Sequence, residues 1–396
     1  MIRPAVLALA VLTAASPARG KGDLLEAADD PLLQQGLVHL YNLDYDRTLE
    51  NALQFRNAHP ANPLGHLFIS GALWWQYTTE AEQMRPDNKF LERFDANVDA
   101  TVEAAKPLMK ADDDEVQADG FFAAGMVLGL RGQMKLANGN FIGAYRDGKK
   151  GIKYLKKCVK LDPNYSDALM GLGIFDYQVA VLPGVIKFGA KLLFRGTGDA
   201  ARGLRLIRTA ISKGRFANNQ AAGFLLTIYM TNELDYRRAF DVVQDIRRSF
   251  PSSPYYAFLH AALLERNGKP AESRAAMRAL FDRLMTEPDR FARKQLGTIC
   301  GQFGPQCLER SHLIAAERWI TNALSELQED SEYKSILTLY HGLTHDLLGQ
   351  REAAIRDFER LKALPPAVSS REWGKRCLET ACGQADAIRL LRGGRP

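Results

Sequence analysis

A fixed interval recurs along this chain: a small residue, a second small residue twelve positions on, and a proline twelve positions beyond that. It reads Gly36, Thr48, Pro60 near the start and Gly342, Ala354, Pro366 near the end. Gly151 to Pro163 and Ala239 to Pro251 repeat its second half, and Leu43-Asp44-Tyr45 returns at the same phase as Leu234-Asp235-Tyr236. A small side chain lets two helix backbones approach, and proline cannot continue a helix. The interval therefore marks the crossing and the end of a repeated helical hairpin, an architecture that implies binding and encodes no reaction.

Helical periodicity carries the same message. Ile336, Leu339, Tyr340, Leu343 and Leu347 share one face, Gly349 punctuates, and Ala354, Ile355, Phe358 and Leu361 form the next face before Pro365-Pro366. Sustained period-two runs, the mark of strands, are nearly absent. The segment Leu348 to Phe358 resembles the turn and second helix of the tetratricopeptide repeat, whose period is about 34 residues. Leu43 to Ala52 and Leu234 to Val243 resemble it more loosely. The resemblance implies an all-α, right-handed α-solenoid of antiparallel helix pairs.

Between Pro60 and Pro163 the spacing exceeds one repeat, which predicts longer helices over Leu67–Tyr77, Phe90–Met109 and Glu115–Leu136. A helix over Asp167–Ala180 leads into a helical insertion at 181–199, where Asp199 is placed to cap a helix over Ala200–Ser212. The blocks Asp147 to Leu155 and Asp176 to Pro183, with Gly198-Asp199 and Gly203-Leu204, look like those of a family of exported bacterial tetratricopeptide proteins. More distantly they are similar to a eukaryotic group of the same repeat type. The molecular role of the bacterial family is undefined, so the likeness informs the fold more than the function.

Met1 to Pro4 carry one positive charge, an apolar run follows from Ala5 to Ala14, and Ser16 and Ala18 sit where a signal peptidase reads. Residues 1–18 are therefore expected to be a cleavable leader, 19–366 the repeat domain and 367–396 a capping segment. No cysteine directly follows the apolar run, so the expected location is periplasmic or secreted, without a lipid anchor. No later stretch is apolar for long enough to span a bilayer. The formal charge is +6, from 52 basic against 46 acidic residues, a diffuse excess unlike the clustered face of a nucleic-acid binder.

The five cysteines are an odd number for an exported chain. Cys300 and Cys307 flank the turn-rich Gly301-Gln302-Phe303-Gly304-Pro305-Gln306 and form the expected disulfide. Cys377 and Cys382, five apart, would diverge on one continuous helix and need a break or other partners. Cys158 follows a buried spacing.

Candidate chemistry is sparse. Gly196-Thr197-Gly198 with Gly203 lacks both the dinucleotide fingerprint and the Walker lysine, and reads as a turn before a helix cap. No cofactor is assigned. His341 and His345, four apart, have metal-ligand spacing, but Gly342 stands where a zincin places its glutamate. They read as a structural pair, so no metal is assigned, and a metal-dependent hydrolase would need a third ligand beside both. Trp74 and Trp75 read as core with one ring free to meet a ligand. Lys149, Lys150, Lys153, Lys156, Lys157 and Lys160 form a basic stripe, either a solvated face or a dock for an acidic partner or anionic head groups. The expected function is a non-enzymatic scaffold in the cell envelope for a protein or peptide partner, with Gln76, Tyr177, Gln178 and Arg266 as groove candidates. The rival is a carrier of an apolar small molecule or lipid lined by Val181 to Phe194.

Overall fold

The structure, a computed structural model, describes residues 24, 26–79, 88–181, 198–286, 313–327, 330–367, 369–391 and 395–396. Every regular element among them is helical. In chain order these are a short 3-10 turn at Glu26–Asp29, then α1 (Pro31–Tyr41), α2 (Tyr45–Ala58), α3 (Leu64–Thr79), α4 (Asn88–Leu108), α5 (Asp114–Ala137) and α6 (Phe141–Leu161). They continue with α7 (Ala168–Val181), α8 (Ala200–Lys213), α9 (Asn218–Thr231), α10 (Tyr236–Ser249), α11 (Pro254–Arg266) and α12 (Pro270–Thr286). The last are α13 (Leu313–Glu326), α14 (Glu332–Leu347), α15 (Arg351–Arg360), α16 (Ser370–Glu379) and α17 (Gln384–Leu391). Most helices pack on their chain neighbours, α5 on α6, α7 on α8, α4 on α5 and α1 on α2 most extensively, giving an α-solenoid of antiparallel pairs.

The helix starts follow from short polar side chains. Asp30, Asp44, Asp113, Asn140, Asp199, Asp235, Ser253 and Ser331 each accept a backbone N–H of the first turn that would otherwise have no partner. Within the pairs the turn is repeated almost atom for atom. Gly139, Gly268 and Gly349 adopt left-handed backbone (φ 76°, 77° and 75°), and the next N–H bonds a carbonyl five residues back: Asn140 to Lys135, Lys269 to Leu264, Gln350 to His345. Leucine takes this position in the Leu-Asp-Tyr tripeptides, Leu43 at φ 63° and Leu234 at φ 52°.

The small residues of the recurring interval lie where helices cross. A Cβ on Gly342 would stand 2.5 Å from the Phe358 ring, one on Gly151 2.9 Å from the Gly125 carbonyl oxygen, and one on Gly36 2.7 Å from the Phe68 ring. Ala354 and Ala239 are fully buried.

The stack also folds back on itself. Tyr41, at the end of α1, packs its ring against Phe250 (4.5 Å between centroids), Trp75 (5.3 Å) and Tyr256 (5.6 Å). Ser253 donates to the Tyr41 carbonyl and Ser252 to the Asn42 side chain. Arg215 pairs with Asp29 at 2.5 Å, and the Leu24 N–H donates to buried Asp119 at 2.9 Å. At the far end α16 stops at Glu379, and the break lets Cys382 turn back to form a disulfide with Cys377. The expected Cys300–Cys307 pair lies outside the described residues, as do the leader and most of the insertion. Cys158 is fully buried in the α5–α6 packing.

Candidate functional site

The four groove candidates are not brought together. Tyr177 is 1% exposed, and its hydroxyl donates to Glu233 at 2.6 Å; burial and that carboxylate hold its phenol well above the ordinary tyrosine range. Its ring is core, which corrects its assignment to a binding surface. Gln178 is exposed on α7, Gln76 is half-buried on α3, and Arg266 is exposed at the end of α11 with its guanidinium over the Tyr236 ring at 5.4 Å. The open groove between α8, α9 and α10, about 530 Å³, is lined by Arg208, Asn218, Tyr229, Arg238, Asp241 and neighbours, and by none of the four. Trp75 is half-buried, edge-on to Tyr41 and Tyr255 (5.6 Å), while Trp74, also half-buried, lies against Tyr77 at 5.8 Å. Both rings pack against the core.

Two surfaces carry usable chemistry. The first is α6. Its inward stripe is Gly143, Asp147, Gly151, Leu155 and Cys158, packed on α5, and the glycines bring the two axes close. Asp147, the sole acidic residue of the helix, is engaged from α5 by Arg131 (2.9 Å) and Lys135 (2.6 Å). Outward stand Arg146, Lys149, Lys150, Lys153, Lys156, Lys157 and Lys160, all exposed. Among the described residues none of the six lysines lies within ion-pair distance of a carboxylate. Instead Lys157 sits 4.1 Å above the Phe121 ring, Lys150 5.7 Å from that of Tyr154, and Lys149 donates to the Tyr145 hydroxyl at 2.9 Å. At the helix start Phe141 and Ile142 are 68% and 81% exposed. Ile142, Tyr145, Arg146, Lys149, Lys150 and Lys153 line a shallow surface depression of about 420 Å³.

The second is a polar cluster on α13, α14 and α15. His341 and His345 share a face of α14, their ring centroids 4.1 Å apart. Nδ1 of His345 lies 2.8 Å from Asp357 Oδ2 of α15; Nδ1 of His341 lies 2.9 Å from the same oxygen, but out of line for a hydrogen bond. From α13, Thr321 Oγ1 reaches His341 Nε2 at 2.9 Å and Glu317 Oε1 at 3.3 Å. Glu317, His341 and His345 each place one ligand-type atom within 4.8 Å of the others. Glu317 is thus a third ligand-type side chain beside both histidines. The Gly342–Phe358 contact sets the spacing of α14 and α15 that brings Asp357 beside both imidazoles.

No family model matches the chain, and no curated protein matches it. Among solved structures it is similar to the human IFIT1 dimer with PPP-AAAA, at 13% identity over 95% of this chain and 92% of that one, TM-score 0.37. It is similar to yeast Tom70 at 12% identity over 93% and 89%, TM-score 0.29. The TPR domain of P58(IPK) aligns at 15% identity over 93% and 98%, TM-score 0.20. The chain is an all-α solenoid of antiparallel helix pairs. That description stands on the helix pairs, their left-handed turns and their small-residue crossings. Sequence spacing located the two histidines and the lysines; it missed Glu317 and Asp357, which lie on separate helices with no motif linking them.

Proposed function

We propose that the chain is a non-enzymatic scaffold, exported to the cell envelope, whose α6 face docks an acidic protein segment bearing apolar side chains. One observation carries this reading: six exposed lysines without carboxylate partners among the described residues, beside exposed Phe141 and Ile142. A basic field draws an acidic segment in and sets its register, while the two apolar side chains supply area that is better buried than wet. Export is supported by the leader composition and by the Cys377–Cys382 disulfide, a bond that persists in oxidising compartments. The apolar cavity lined by Leu37, Leu67, Trp75, Met126 and Phe216 holds about 40 Å³, room for a few waters and no lipid chain, while the Val181 to Phe194 segment of the carrier reading lies, beyond Val181, outside the described residues.

The test is fluorescence anisotropy of an acidic amphipathic peptide rich in Glu, Phe and Leu against the mature chain. Comparison is with Lys149→Glu/Lys153→Glu/Lys156→Glu, all exposed helix positions that leave the core untouched. Saturable binding that weakens at least tenfold in the variant and falls with salt supports the dock. Binding of the peptide to neither the wild type nor the variant, or charge-dependent binding only to vesicles containing anionic lipid, removes it. Recovery of the protein with residues 1–18 intact in the cytoplasmic fraction would remove the exported half.

A further inference from the structure

We propose that Glu317, His341 and His345 bind a divalent transition-metal ion of the zinc class, with Asp357 orienting the His345 imidazole from behind. The argument begins with charge. Two carboxylates face two imidazoles, and among the described residues no lysine or arginine lies within ion-pair distance of Glu317 or Asp357. The histidine side chains are 14% and 12% exposed and that of Asp357 16%, so solvent screens this charge poorly. A bound cation would engage Glu317 and both imidazoles at once.

The ligand set then selects the ion. Two imidazole nitrogens and one carboxylate suit zinc and its neighbours, whereas calcium and magnesium take oxygen ligands. With metal-ligand bonds of about 2.0–2.2 Å, tetrahedral donors stand roughly 3.3 Å apart. The present separation of up to 4.8 Å closes by small rotations of three side chains on fixed helices. Asp357 occupies the position of the carboxylate that commonly backs metal-bound histidine: its Oδ2 accepts from Nδ1 of His345 and leaves Nε2 of that ring for the metal. On His341 the Thr321 hydroxyl marks the same outer edge, since it contacts both Nε2 and Glu317. The ion would join α13 to α14, with Asp357 of α15 behind His345. No reaction is assigned to it, because Gly342 stands where a zincin carries its base. The proposal is independent of the α6 dock.

The experiment uses the untagged full-length chain, stripped with chelator and titrated with zinc chloride by calorimetry, then with cobalt as a spectroscopic probe. The expected result is one equivalent bound at micromolar Kd or tighter. His341→Ala should abolish binding, and Asp357→Asn should weaken it about 10–100-fold, as loss of an outer carboxylate does. Absence of saturable binding, or binding that survives His341→Ala/His345→Ala, overturns the site. Should those variants fail to fold, the wild type decides alone: paramagnetic cobalt must shift the ring resonances of two histidines, and unmoved resonances overturn the proposal.

Discussion

Arg351 closes both ends of a buried polar lock around Asp346: its Nη1 donates to both carboxylate oxygens at 2.9 Å, and its Nη2 donates to the carbonyls of Cys377 and Leu378 at 2.8 and 3.0 Å. The Asp346 side chain is fully buried, and the N–H of Cys382 adds a third donor at 2.9 Å. Since this pair fastens the disulfide hairpin to α14, Arg351→Met leaves a buried charge with little compensation. A loss of about 3–5 kcal/mol in urea unfolding is expected, and the double variant with Asp346→Leu should lose less. Reducing the Cys377–Cys382 bond opens a short loop, for which chain entropy predicts about 2 kcal/mol.

Two leucines in the same left-handed turn answer oppositely to glycine. Leu234 is 58% exposed, so Leu234→Gly relieves backbone strain and gives up little burial; it should be neutral or stabilising by up to about 1 kcal/mol. Leu43 is 2% exposed, and Leu43→Gly should cost about 2–3 kcal/mol because lost burial outweighs relieved strain. Thermal melts of the two variants check the contrast, and equal shifts of one sign would contradict it.

Glycines in the helix pairs divide by what stands beside them. A Cβ on Gly203 meets backbone at 2.7 Å on Gly173 and Tyr177, so Gly203→Ala must push α7 and α8 apart at a cost of about 1–3 kcal/mol. Nothing lies within 4 Å of a Cβ on Gly148 in α6, so Gly148→Ala should stabilise by about 0.5–1 kcal/mol through helix propensity. Denaturant midpoints at fixed pH separate the two.

Burial, and then the charge of Arg247, hold the His260 imidazole below its ordinary range; its ring stacks on Phe240 at 5.0 Å. A base with a depressed folded pKa takes up protons more readily when unfolded. Its contribution to stability is therefore present above about pH 6.5 and is lost as pH falls below that value. Urea midpoints at pH 7.5 and 5.5 should fall more for the wild type than for His260→Phe, and parallel falls would contradict the assignment.

The sequence announced the helices where periodicity and caps agreed. The predicted Leu67–Tyr77, Phe90–Met109 and Glu115–Leu136 lie within, or end one residue beyond, Leu64–Thr79, Asn88–Leu108 and Asp114–Ala137, and Asp199 caps α8 as its position implied. Tyr177 was misplaced because α7 is apolar nearly all round, so its sequence carries no phase to say which face is inside. The meeting of Tyr41 with Tyr256 left no trace either, for contacts between residues more than two hundred positions apart have no local pattern. Glu317 joined the histidines for the same reason: three helices converge, and each alone shows an ordinary polar residue.

A stack of helix pairs that touch only their neighbours stretches like a spring, because each joint gives a little without breaking anything. Here the rings of Tyr41, Trp75, Phe250 and Tyr256 and the Ser253 bond to the Tyr41 carbonyl tie the first coil to a later one. Under tension this part of the molecule should resist until the aromatic clasp opens and then lengthen abruptly, while the pairs beyond α12 keep the compliance of an open coil. The distance between any two side chains presented by the latched section is accordingly held constant, as a rigid gauge holds it, whatever pulls on the ends of the chain.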